Sequence, residues 1–168
     1  MRAPDGPLGA AVLLWFLGTA LLTVHFVFTD PRFDYRLLLI GALVPDLVDV
    51  PFDHARWAHS LTVAVGALAL VMAVTAGRKP IRRLLLGLPI GMLLHLVWDG
   101  AFAASKVFWW PFLGSWGHTR VPSLERGWLN VVMELAGAAM LWWSWQRFGL
   151  ADSERRQRFL RQGLLTEF

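Results

Sequence analysis

The sequence predicts an all-α, polytopic helical membrane protein with about five transmembrane or partly membrane-embedded helices. Three observations predict it. Hydrophobic residues make up 56% of the 168-residue chain and charged residues only 17%, against about 25% charged in an average soluble domain. The apolar residues gather in blocks, several near the roughly 20 residues that cross a bilayer as a helix. The basic residues lie between those blocks, and most fall on one side of an alternating topology.

The first block runs from Leu8 to about Phe28 and contains His25. Its apolar part is too long for a cleavable signal peptide, and no small-residue cleavage site follows, so it reads as a mature helix. The second runs from Leu37 to Phe52. Pro45 and Pro51 interrupt it, and its unbroken apolar run is only Leu37 to Val44. Interrupted spans are tolerated where the backbone is buried in protein or lines a wet cavity. The third, fourth and fifth blocks run from Ala58 to Ala76, Leu84 to Ala104 and Trp128 to about Phe148. One connection is long: Ser105 to Gly127, rich in Trp, Pro and Gly. Loops of that length commonly carry function. Residues 1–149 are thus expected to form a membrane-embedded helical domain, and 150–168 a basic, mildly amphipathic cytoplasmic tail.

The chain has no cysteine, which excludes disulfides, Cys-based zinc sites and thiol nucleophiles. Its net charge of +4 comes from 16 Lys+Arg against 12 Asp+Glu. These cations cluster beside apolar blocks rather than along a polar stripe, so no nucleic-acid partner is expected. If all five blocks cross, Arg32, Arg36, Arg78, Lys79, Arg82, Arg83 and the arginines from Arg147 onward share one face. That face should be cytoplasmic. The expected topology has the N-terminus outside and the C-terminus inside an inner membrane, with the lipid bilayer as its partner. Trp57, Trp109, Trp110, Trp116 and Trp128 mark one interface, and Trp142, Trp143 and Trp145 the other.

On this topology the ionisable residues converge. Asp46 and Asp49 fall near the outer end of the second block, His54 and His59 at the outer start of the third. His95 and Asp99 fall in the outer half of the fourth, and Asn130 and Glu134 in the outer part of the fifth. His95 and Asp99 are i,i+4 and share a helix face, as do Asn130 and Glu134. Asp46 and Asp49 are i,i+3. His54 and His59 are five apart, about 140° around a helix, which places His54 in the connection and His59 in the first turn. Ionisable groups in spans cost roughly 2.5–3.5 kcal/mol each and default to a functional reading. Carboxylates and imidazoles together ligate zinc and other divalent transition metals. The expected ligand set is Asp46, Asp49, His59, His95 and Asp99. Asp49 or Glu134 is an alternative general base, and Arg56 a candidate anion holder. His54 and His25 are further candidates. Each has a plainer role open to it: a cap, an interhelical hydrogen bond or a surface histidine.

The run GALVPDLVDVPFDHARWAHSL resembles the hallmark of the YdjM-like (LexA-binding, inner-membrane-associated) proteins. In that pattern a small and apolar lead-in precedes Pro45-Asp46, then Asp49, then a stretch with His54 that ends in His59-Ser60. A later Gly91 and His95-x-x-x-Asp99, and the apolar VFWWPF segment from Val107 to Phe112, resemble the rest of it. The resemblance covers roughly Leu37 to Phe112. It implies a metal-dependent membrane hydrolase with zinc as the leading metal and manganese or iron as alternatives. Its motif style, similar to zinc-dependent phospholipase C and nuclease P1 proteins, implies an ester or phosphoester substrate, lipid-linked if the site opens at membrane depth. Where the family carries a histidine early in the first helix, this chain has Trp15 and Phe16, and Ala55 then Arg56 follow His54. The link to LexA implies an alternative role as a non-catalytic interaction protein with a structural metal or polar cluster. A small ion transporter is a third reading of acids and imidazoles in spans.

Overall fold

A computed structural model describes residues 12–28, 32–49, 55–104, 106–115 and 126–165. Among them are seven α-helices and no strand. These are α1 (Leu13–Val27), α2 (Tyr35–Asp49), α3 (Leu61–Val74), α4 (Lys79–Trp98), α5 (Ala101–Ala104), α6 (Trp128–Arg147) and α7 (Ser153–Gln162), with 3-10 turns at Trp57–His59 and Lys106–Trp109. The all-helical expectation holds. One helix, Lys79–Trp98, is long and apolar enough to cross a membrane, and Leu13–Val27 and Leu61–Val74 are shorter apolar helices.

Local chemistry sets the boundaries. Ser60 precedes α3 and its hydroxyl accepts the Val63 N–H at 3.2 Å, an N-cap that satisfies one of the helix's orphan donors. Pro80 lies in the first turn of α4, where its missing N–H costs nothing. That start is five residues earlier than the apolar block, because charged side chains at an exposed helix end need no burial. The end of the fourth block breaks at Gly100, whose φ of +66° turns the chain before α5. Asp152 caps α7 by accepting from Glu154 N at 2.7 Å, and Gly163 closes it in the left-handed conformation.

The long helices alternate in direction. Leu14 of α1 meets Glu134 of α6, and His25 near the other end of α1 meets Phe148 just past α6. Helices α1 and α6 are therefore parallel. Gly87 of α4 abuts Asp34 and Leu38, Gly91 abuts Leu38 and Ala42, and His95 reaches Ala42. Helices α2 and α4 are therefore parallel to each other, with α3 as the return between them. At one end lie the starts of α1, α3 and α6 and the ends of α2 and α4. At the other lie Arg32, Arg36, Arg78, Lys79, Arg147 and α7.

Helices α2 and α4 touch backbone to backbone. A Cβ on Gly41 would overlap the Leu88 carbonyl, and one on Gly91 would overlap the Leu38 carbonyl. Small residues at such crossings let helices approach until main-chain atoms pack directly. Gly137 of α6 stands against Leu14 and Trp15 of α1 in the same manner. One core cluster joins Ala20, Leu21 and Val24 of α1 to Leu38 and Ala42 of α2 and to Phe148 and Leu165. A second joins Ala64, Met92, Leu96, Ala101 and Phe108. The outside of the bundle is apolar: Leu70, Leu135 and Trp142 are more than 60% exposed. Helix α3 is apolar except for Thr62, yet buries only Ala64.

The C-terminal segment does not stand apart from the bundle. Arg36 donates to the Leu160 and Arg161 carbonyls at 3.1 and 2.8 Å, and Tyr35 N to the Gly163 carbonyl at 3.0 Å. Leu165 is buried in the first core cluster.

Candidate metal centre

Asp46 and Asp49 project from the last turn of α2, His59 from the 3-10 turn before α3, and His95 and Asp99 from the end of α4. All five are buried, none more than 2% exposed. Asp46, His59 and His95 form the tightest group: one ligand atom from each lies within 4.8 Å of the others. His59 Nε2 is 3.3 Å from Asp46 Oδ1, and His95 Nε2 is 3.6 Å from the same oxygen. Neither Nε2 makes a hydrogen bond. The 3.3 Å contact is close enough for ion pairing but off hydrogen-bonding geometry.

The tautomers follow from the far side of each ring. His95 Nδ1 faces the Ala42 carbonyl at 2.8 Å. A carbonyl only accepts, so Nδ1 carries the hydrogen and Nε2 presents a lone pair inward. Pro45, without an N–H, cannot bond the Gly41 carbonyl one turn before it. His59 Nδ1 faces Asp49 Oδ2 at 2.7 Å, and the same oxygen accepts Arg56 N at 2.7 Å. Two imidazole lone pairs thus converge on one carboxylate oxygen. Ligands held about 2.0–2.1 Å from a tetrahedral ion lie about 3.3–3.4 Å apart, close to the two measured separations. The orienting partners on each Nδ1, a carboxylate and a backbone carbonyl, are those that metal-ligating histidines use. These residues fit a divalent cation.

Asp49 sits behind His59: Oδ2 is engaged by His59 and Arg56, while Oδ1 is buried without a hydrogen-bond partner. Asp99 Oδ1 accepts from Arg126 Nη2 at 3.0 Å, and the same nitrogen contacts the Asp99 carbonyl oxygen. Asp99 Oδ2 is buried without a hydrogen-bond partner. The Asp99 N–H donates to the His95 carbonyl at 2.8 Å, so Asp99 lies one helical turn beyond His95. Arg56 contributes its backbone N–H to Asp49, and its side chain is exposed.

Two expected residues have other partners. Both carboxylate oxygens of Glu134 accept the Leu14 N–H, at 2.9 and 3.2 Å. Glu134 holds an orphan donor of the first turn of α1, where a negative charge also suits the helix dipole. His25 lies at the opposite end of α1, packed edge-on against Phe148 with ring centroids 5.0 Å apart. Nine residues of helix, about 14 Å along the axis, separate it from Phe16 beside the centre. His54 lies outside the described residues.

Three participants are not evident from motif spacing. Arg126, at the end of the long connection, pairs with Asp99. The Ala42 carbonyl orients His95. Phe16 covers the His95 ring, with centroids 3.9 Å apart and planes tilted by 31°. The first helix therefore gives this centre an apolar wall.

In comparisons with known proteins, no family model, curated protein or solved structure matches this chain.

Proposed function

We propose that the chain is a membrane-embedded, divalent-metal-dependent hydrolase of the YdjM-like kind, acting on an ester or phosphoester, with lipid-linked substrates foremost. The observation that carries this reading is the convergence of two unbonded Nε2 atoms on Asp46 Oδ1 at ligand spacing. Two imidazoles and a carboxylate suit zinc, with iron or manganese as alternatives, and at a tetrahedral zinc three protein ligands would leave the fourth position for water or substrate. A bound ion would polarise the scissile group and acidify a coordinated water to about pKa 7. Asp99 offers a buried carboxylate oxygen for proton transfer. Arg126 fixes its orientation through the other oxygen. Asp49 holds the His59 ring in place.

Membrane embedding is supported by the exposed apolar exterior, by the apolar length of α4 and by five long helices that alternate in direction. An apolar helix with one buried residue, such as α3, has no stable exterior in water. The basic end of the bundle is the proposed cytoplasmic end, which carries the C-terminus.

Elemental mass spectrometry of the untagged protein in detergent tests the centre, beside an Asp46→Ala/His95→Ala variant. About one equivalent of metal in the wild type, lost in the variant, is the expected result. A phospholipid and phosphoester screen on the same samples tests the activity, which should vanish with chelation and return with zinc. No metal after reconstitution with excess ion overturns the reading.

The near-complete burial of all three ligands favours a second reading, a structural metal in a non-catalytic interaction protein. Metal that is retained, without hydrolysis of any substrate screened, and whose removal lowers only thermal stability, would select it.

A further inference from the structure

At the end of the bundle away from the metal centre lies a pocket of about 260 Å³. Its lining includes His25, Arg147, Arg155 and Arg158 together with Phe148 and Leu165, and among the described residues no carboxylate. Two acids at this end are engaged elsewhere. Asp34 holds Arg36 in an ion pair at 2.6 Å, and Asp152 caps α7. Other cations at this end bind the main chain: Arg36 caps the carbonyls that end α7, and Arg156 reaches those of Leu150 and Ala151. Arg147 and Arg158 have no hydrogen-bond or ion-pair partner among the described residues. Gly149 adds a second observation. Its φ is +61°, and a Cβ there would meet Arg155 Nη1 at 3.0 Å, so the turn leaves room for that guanidinium.

We infer that this pocket binds the phosphate of an anionic lipid headgroup. The Arg147 and Arg158 guanidinium groups around one cavity repel each other unless an anion lies between them, and guanidinium matches phosphate by paired hydrogen bonds. The apolar part of the lining suits the start of a chain attached to that phosphate. The height also fits. Trp142, Trp143 and Trp145 are exposed in the last two turns of α6, and the Trp143 ring is 6.3 Å from that of His25. Tryptophans gather at headgroup level. The inference rests on the membrane reading and is independent of the metal centre.

Native mass spectrometry of the full chain in detergent tests it, with phosphatidylglycerol, phosphatidylcholine and inorganic phosphate as probes. Phosphatidylglycerol should be retained over phosphatidylcholine, and an Arg147→Gln/Arg158→Gln variant should lose that preference by roughly tenfold or more. An Arg147→Lys/Arg158→Lys variant should keep part of it, which separates recognition from misfolding. An Arg78→Gln/Lys79→Gln variant removes two charges from the same end outside the pocket and should change little. Equal loss in that control would show diffuse surface attraction and overturn the site. Displacement of the lipid by inorganic phosphate at equal concentration would make the free anion the occupant and overturn the lipid assignment. Carbonate extraction of membranes checks the embedding separately, so failure of that reading and failure of this one are distinguishable.

Discussion

Asp49 Oδ2 lies 2.7 Å from His59 Nδ1, and it is the buried carboxylate that fixes this ring, whereas Asp46 meets the ring's other nitrogen. Two acids three residues apart thus take different positions around one imidazole. Asp46→Asn should abolish metal retention, because it alters a ligand. Asp49→Asn should weaken retention by about 10–100-fold, the usual cost of removing an orienting partner. Chelator competition on the purified protein measures both. Equal loss in the two variants would make Asp49 a ligand.

Metal retention should fall as pH falls. Both imidazoles must present a lone pair at Nε2, and Asp46 must be ionised, so protons compete with the ion for the same atoms. The sign is therefore tighter binding at neutral pH and release in acid. The slope should approach about two protons per ion on the acid side, one for each imidazole. Metal titrations over a pH series check this. Flat affinity would exclude the two histidines as joint ligands.

Glu134→Ala should lower stability by about 1–3 kcal/mol, the cost of leaving a donor without its charged partner. Metal content should be unchanged, since the carboxylate is engaged by Leu14 at the start of α1. Thermal denaturation in detergent beside metal analysis separates the two effects. Loss of metal with unaltered stability would return Glu134 to the centre.

Gly91→Val and Gly41→Val should each force α2 from α4, costing about 1–3 kcal/mol or more as overpacking. The separation also pulls Ala42 from His95, so metal retention should weaken in step with stability. Gly66→Val in α3, where a Cβ meets nothing within 4 Å, is the control. An unaltered melting temperature in the first two would show that the helices do not meet at these glycines.

Much of this arrangement is legible in the sequence, for identifiable reasons. Long apolar blocks give the helices, and alternation along the chain brings Asp46, His59, His95 and Asp99 to one end. Helical spacing also puts Asp46 and Asp49 on one face. It cannot say which of them meets a given imidazole nitrogen, since that depends on the crossing of α2 and α4 at Gly41 and Gly91. The partnership of Glu134 with Leu14 was hidden because it joins a side chain to a main-chain donor 120 residues away. The docking of residues 163–165 on the bundle was hidden too. Helix α7 buries no residue of its own, and the contact is made by Arg36, Tyr35 and the stretch after the helix.

The parallel pairing of α2 and α4, with α3 as the return, has a consequence for biosynthesis. The three candidate ligands come from residues 46, 59 and 95, so a nascent chain holds only two of them until most of α4 has been made. The α2–α4 contact must also wait until α3 has doubled back. The candidate centre is therefore a late product of translation: a chain stopped before His95 should form its first helices yet capture no ion. Metal capture would then report that the first four helices have reached their final order.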